Sequence, residues 1–188
     1  AFCVGFCIYS VVKIVFKNAN LTKTNRNFRY FQIFTASLQS FSHGTNDAQK
    51  SMGIITLALI VAGLQNGGSV EPQFWVKVAC ATAMGLGTAV GGWKIIKTVG
   101  GNIMKIRPAN GAAADLSSAL TIFVASSLHF PLSTTHVVSS SILGVGASNR
   151  IKGVKWNTAK RMVITWVITL PISAILAALV FFFFDIFL

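Results

Sequence analysis

The sequence predicts an all-α integral membrane protein, and three observations carry that prediction. Of its 188 residues, 53% are hydrophobic and only 11% charged, about half the charged share of a soluble domain. Mean hydropathy is +0.67. Short polar interruptions separate apolar stretches, several of them near the roughly 20 residues that one helical crossing takes. The same figures exclude other classes. A net charge of +12 would suit nucleic acid, but such a binder needs solvated Lys and Arg surface, so no nucleic-acid partner is expected. Cys3, Cys7 and Cys80 offer neither a disulfide framework nor metal-ligand spacing.

The elements follow in order. Residues 2–16 read as a truncated span. The chain opens at Ala1 inside that apolar run, with no initiating Met, basic n-region or small-residue cleavage site, which reads as a fragment of a longer protein. Residues 17–29 are a basic loop, 30–42 amphipathic, and 48–63 apolar. Helix across 30–63 would run roughly 50 Å at 1.5 Å per residue, too long for one straight crossing. A break over residues 44–47 is therefore expected. Residues 64–73 form a loop that is neutral apart from Glu71.

Residues 74–92 make a span rich in Gly and Ala, suited to close helix contact, and 93–107 are basic and interfacial. Two apolar arms, 111–130 and 132–148, meet at Pro131. The tip between them, Pro131-Leu132-Ser133-Thr134-Thr135-His136, is polar. Non-helical backbone at membrane depth persists only where protein buries it or a cavity receives it, so a re-entrant hairpin is expected rather than two full spans. A basic loop over 149–161 precedes a final span, 162–184, kinked or relaxed at Pro171. Trp75, Trp93, Trp156 and Trp166 fall near span ends, as interfacial anchors do.

Orientation follows from the cations, since short cytoplasmic loops are enriched in Lys and Arg. Lys17, Lys23, Arg26 and Arg29 share one loop; Lys94, Lys97, Lys105 and Arg107 a second; Arg150, Lys152, Lys155, Lys160 and Arg161 a third. With all three inside, the Glu71 loop and the C-terminus lie outside. The whole of 1–188 is read as one multi-pass transmembrane domain, in the plasma membrane.

Two constellations carry chemistry. The first is Ser42-His43-Gly44-Thr45-Asn46-Asp47-Ala48-Gln49-Lys50. Asp47 is one of only four acids, set between two apolar half-segments where an unpaired carboxylate is expensive. A bound cation, a proton or Lys50 at i, i+3 can offset it. Thr45, Asn46 and Asp47 can cap a following half-helix, and Gly44 permits the turn. The plain alternative is a satisfied polar kink with an internal Asp47 to Lys50 pair. The second constellation is the tip, where Ser133, Thr134, Thr135 and His136 open a helix whose free N–H groups favour anions. Its plain alternative is an N-cap satisfying its own backbone. Broken elements near the membrane midplane point to a transporter's site.

Other residues weigh less. His43 and Asp47 at i, i+4 lack a third metal ligand, and no metal is expected beyond a sodium site. His129 reads as interfacial. Asp115 either pairs with Lys105 or Arg107 or belongs with His136 to an ion path. Ser133 and His136 imitate a nucleophile and base but have no orienting acid.

The two motifs, in this order, resemble those of the inorganic phosphate transporter (PiT) family of cation-coupled permeases. Gly44-Thr45-Asn46-Asp47-Ala48-Gln49-Lys50 is similar to that family's Gly-Ala-Asn-Asp-Val-Ala-Asn signature, and Pro131 to His136 matches its Pro-x-Ser-Thr-Thr-His tip. The resemblance implies half of an inverted-repeat transporter, with this chain as the C-terminal repeat and an N-terminal repeat as its partner. It further implies a homodimer and Na+ or H+ as coupling ion, with no other cofactor. Asn46, Asp47, Ser133, Thr134 and Thr135 would line the phosphate site; Asp47, Asn46, Thr134 and Lys50 would serve cation or proton coupling.

Lys50 stands where the family commonly has Asn, and Asp115 where it often has Glu. The Lys50 ammonium is expected either to replace a sodium ion or to touch phosphate, favouring proton coupling. Asp47 can accept from the P–OH of a protonated phosphate, a bond that sulfate cannot offer, and sites built around a hydrogen bond reject analogues lacking it. The expected function is cation- or proton-coupled symport of inorganic phosphate. A sulfate or metal-phosphate permease of the same fold is the nearest alternative. An intramembrane hydrolase on Ser133 and His136, and a non-transporting subunit, are the readings from other classes.

Overall fold

The computed structural model describes residues 1–18, 21–65, 70–130 and 132–187, and the side chains of all of these but 21–23, 94–99, 102, 186 and 187. The predicted apex Pro131, part of the 64–73 loop, and the side chains of Lys23, Lys94 and Lys97 lie outside the described residues. Among the described residues the fold has six α-helices and one 3-10 turn: α1 (Phe2–Val15), α2 (Leu21–Val61), α3 (Phe74–Asn102), α4 (Pro108–Ser127), α5 (Thr134–Arg150), the turn Ile151–Gly153, and α6 (Trp156–Phe187). The chain divides into two compact units, Ala1–Val154 and Lys155–Leu188.

In the first unit α4 and α5 pack on each other, α1 lies against both, α2 packs along α4, and α3 packs on α2. Small residues make the centre possible. Gly111, Ala112, Ala113, Ala114, Ser117 and Ser118 are buried on α4, as are Ser139, Ser141, Gly144 and Gly146 on α5. A Cβ at Gly144 would collide with the Phe2 carbonyl oxygen, and one at Gly5 would sit 2.7 Å from the Ser141 carbonyl oxygen. These two glycines let α1 and α5 touch backbone to backbone.

The expected break over residues 44–47 is absent: α2 runs as helix through 41 residues, about 60 Å. Gly44 stays right-handed, the positive-φ glycine among the described residues being Gly63. The Thr45 hydroxyl, expected as a cap, instead donates back to the carbonyls of Phe41 and Ser42 at 2.9 and 3.1 Å. That bond lets a threonine sit inside a helix, and a single glycine costs a helix only about 1 kcal/mol. The predicted 17–29 loop is also mostly helix, since α2 begins at Leu21. Buried Phe28 anchors it, its ring 5.1 Å from Phe16 and 6.2 Å from Phe31.

Helix ends follow ordinary capping chemistry. At the end of α2, Gly63 takes φ 71°, with Leu64 N–H on the Leu59 carbonyl and Gly63 N–H on the Ile60 carbonyl, a Schellman close. The end of α4 repeats that pattern with His129 in the left-handed position at φ 58°. His129 is thus a turn residue of the hairpin. At the start of α4, Pro108 occupies the first turn and the Asn110 side chain accepts from the Arg107 N–H, the position where a missing proline donor is harmless.

Two helices among the described residues are long and apolar enough to cross a bilayer: Phe74–Trp93 at mean hydropathy 1.3 and Trp156–Asp185 at 2.6. On α3, Phe74, Leu86 and Val90 are exposed, as lipid-facing side chains are. In the second unit α6 remains helix through Pro171, although proline there removes one backbone donor. Thr165 and Thr169 donate to the carbonyls four residues earlier, as they do inside apolar helices.

Candidate functional site

The continuous helix α2 sets His43, Asp47 and Lys50 one turn apart on a single face, with Asn46 beside them, because residues three and four apart are helix neighbours. That face meets the turn between α4 and α5. The Lys50 ammonium donates to Asp47 Oδ1 at 3.0 Å and to the Leu132 carbonyl at 2.7 Å. The Thr134 hydroxyl donates to Asp47 Oδ2 at 3.0 Å. The Asn46 Nδ2 amide donates to Ser126 Oγ at 2.8 Å. Helix α2 is therefore tied to the last turn of α4, to the connection, and to the first turn of α5.

Burial sharpens the arrangement. Thr134 is 3% and Asn46 6% exposed, whereas the Asp47 side chain keeps 23% exposure and Lys50 44%. The carboxylate is thus partly open between the buried Asn46 and Thr134 and the exposed Lys50. Asn46 Oδ1 is buried with no hydrogen-bond partner among the described residues, a free acceptor beside the cluster. His43 Nε2 lies 3.6 Å from Asp47 Oδ2, and its Nδ1 is buried without a partner among the described residues.

His43 also lines two clefts of about 670 and 870 Å3 between α2 and α3. These clefts are walled mostly by small and apolar residues, with Lys77 on the larger one, and hold neither Asp47 nor Thr134. The Asp47 to Lys50 pair sits at the hairpin turn instead.

The other predicted residues fall as follows. Ser133 is the N-cap of α5, its hydroxyl accepting from the His136 N–H at 3.5 Å, so its own backbone already uses it. Thr135 and His136 are exposed. Asp115 forms no ion pair with Lys105 or Arg107 among the described residues. It accepts instead from the Thr35 hydroxyl at 3.5 Å, because α4 turns it toward α2. Ser126, the Leu132 carbonyl and Thr35 are partners that sequence reasoning did not name. Each is an ordinary residue whose role arises only when α2 packs against the hairpin.

Chemically the cluster offers both signs. The Lys50 ammonium, with one N–H beyond its two bonds, and the first N–H groups of α5, which have no partner within their helix, are donors for an anion. Asp47 and Asn46 Oδ1 are acceptors for a proton, a hydroxyl or a cation. Each Asp47 oxygen accepts one bond in this cluster and has room for a second.

The profile of the phosphate transporter family matches residues 2–177. The chain belongs to that family. It is 67% identical over 182 residues to a probable low-affinity inorganic phosphate transporter of Bacillus subtilis, covering 97% of this chain and 54% of that protein. A protein of the same description in Rhizobium meliloti is 40% identical over 181 residues, covering 96% and 54%. A solved structure described as the sodium-dependent phosphate transporter is similar at TM-score 0.72 and 32% identity, over 87% of this chain and 41% of that one. The chain thus spans about half the length of the curated relatives it matches. Those relatives are described as transporters or permeases, not as enzymes, so a hydrolase built on Ser133 and His136 is set aside.

Proposed function

We propose that this chain is the C-terminal half of a plasma-membrane permease that imports inorganic phosphate by cation- or proton-coupled symport. The observation that carries the reading is Asp47: a part-exposed carboxylate held between Lys50 and Thr134 at a turn between helices of a predominantly apolar chain. Ionisable groups in such surroundings mark substrate and ion pathways. Phosphate would take donors from Lys50 and the start of α5, with Asn46, Ser133, Thr134 and Thr135 completing the lining, and Asp47 would accept from its P–OH. Asp115 and His136 would belong to the ion path.

In this reading α4 and α5 form a hairpin that enters the membrane from the cytoplasmic side and returns to it. The C-terminus lies outside, and an inverted N-terminal repeat supplies the facing half of the site. Alternating access would then expose the α4–α5 turn to either side in succession, as in other repeat-built transporters. A homodimer is the assembly expected.

Radiolabelled phosphate uptake by the full-length protein in proteoliposomes tests this, with a sodium or a proton gradient imposed and sulfate as competitor. Uptake that sulfate does not suppress supports the reading. No phosphate uptake under either gradient ends it, and sulfate uptake in its place would assign the neighbouring anion.

A further inference from the structure

We infer that the Lys50 ammonium is a tethered cation occupying the place a coupling sodium ion would take beside Asp47, so that this half of the protein binds phosphate without sodium. The inference deepens the phosphate-symport reading and rests on it for the identity of the anion. Its ground is the pair of oxygens that Lys50 bridges. One is Asp47 Oδ1 at 3.0 Å, from α2; the other is the Leu132 carbonyl at 2.7 Å, from the connection between α4 and α5. A carboxylate oxygen and a carbonyl oxygen from two different elements are the ligand types that hard metal cations collect. Here both face an ammonium.

The lysine is well placed for that role. It lies on the same helix as Asp47, three residues on, so its charge arrives with the fold and needs no ion from solution. Removing it would leave His43 Nε2, 3.6 Å from Asp47 Oδ2, as the remaining basic side chain paired with the carboxylate among the described residues. That group is a cation only when protonated. A tethered charge also cannot cross the membrane with its anion. The ion that accompanies phosphate must then be carried elsewhere, by the substrate's own proton or by the other half of the protein. The competing explanation is that Lys50 is a strut joining α2 to the hairpin turn, for which its charge would matter only through the fold.

The test compares the full-length protein with Lys50→Asn and Lys50→Gln, in sodium, in choline and in choline supplemented with ethylammonium. Phosphate uptake is read in proteoliposomes and thermal unfolding in detergent. Wild-type uptake is expected to be the same in sodium and choline. Lys50→Asn uptake should fall about tenfold or more in choline, the loss expected when a carboxylate loses its partner charge, and recover in sodium or ethylammonium. Lys50→Asn should also gain a sodium-specific rise in Tm that wild type lacks.

A strut would give loss without recovery, and that result overturns the inference, as does a wild-type requirement for sodium or a Lys50→Asn protein that transports normally in choline. Wild-type protein that takes up no phosphate under any gradient overturns the transport reading instead. The thermal arm then still decides: absence of the sodium-specific Tm gain in Lys50→Asn overturns the tethered cation.

Discussion

Thr134 reaches across 87 positions of sequence to place its hydroxyl 3.0 Å from Asp47 Oδ2. The bond joins the first turn of α5 to the middle of α2, and with the bond from Lys50 to the Leu132 carbonyl it brings the two sequence motifs together. Thr134 is almost fully buried, so nothing else can supply that donor without repacking the turn. Thr134→Val keeps shape and removes the donor. It is expected to lower phosphate uptake about tenfold while the protein inserts normally, and Thr134→Ser should retain most activity; a buried hydrogen bond to a charged group contributes about 1.5–3 kcal/mol. Equal activity in Thr134→Val and wild type would remove this bond from the account.

Asn46 and Ser126 make the second tie between α2 and the hairpin. Ser126→Ala leaves the Asn46 amide with both ends unpaired, since Oδ1 already lacks a partner. The expected cost is about 1–3 kcal/mol, that of a buried polar group left unsatisfied. Thermal unfolding of Ser126→Ala, Asn46→Ala and the double variant would show the coupling as a sum smaller than its parts.

The contact of α1 with α5 depends on the absence of a side chain at residue 144, where an added methyl would meet the Phe2 carbonyl. Gly144→Ala is expected to destabilise by about 1–3 kcal/mol, as overpacking does. Gly100→Ala, in α3, where a Cβ meets nothing within 4 Å, is the matched control. It should be neutral or slightly stabilising, because alanine is the better helix former.

At the end of α4, His129 holds a left-handed backbone at φ 58°. His129→Gly relieves the Cβ of that conformation and is expected to raise stability by about 1 kcal/mol. His129→Ala retains the Cβ and should leave Tm unchanged. An interfacial role for the imidazole would instead make both variants less stable.

How far the sequence was legible depends on the range of the interaction. The Asp47 to Lys50 pair is local, set by helical spacing, and it could be read from two residues three apart. The two helices α4 and α5 could be read as well, because the polar tip between them interrupts apolar segments on both sides. The continuity of α2 could not, since Gly44 and Thr45 favour a break by propensity, and Thr45 is held in the helix by its own bonds to Phe41 and Ser42. Of the two readings of Asp115, the pairing with a nearby cation fails for a related reason. Nearby cations in sequence suggested Lys105 or Arg107, but the partner is Thr35, 80 residues away and visible only once α2 and α4 are packed.

The most direct test of the central claim is phosphate uptake by the full-length protein carrying Asp47→Asn, reconstituted beside wild type at matched membrane insertion. Asparagine keeps the size and the hydrogen bond from Thr134 but removes the charge that Lys50 pairs with. The account predicts robust uptake by wild type and a loss of about 100-fold in the variant, the scale of breaking a part-buried charge pair. Uptake by Asp47→Asn equal to that of wild type would contradict it.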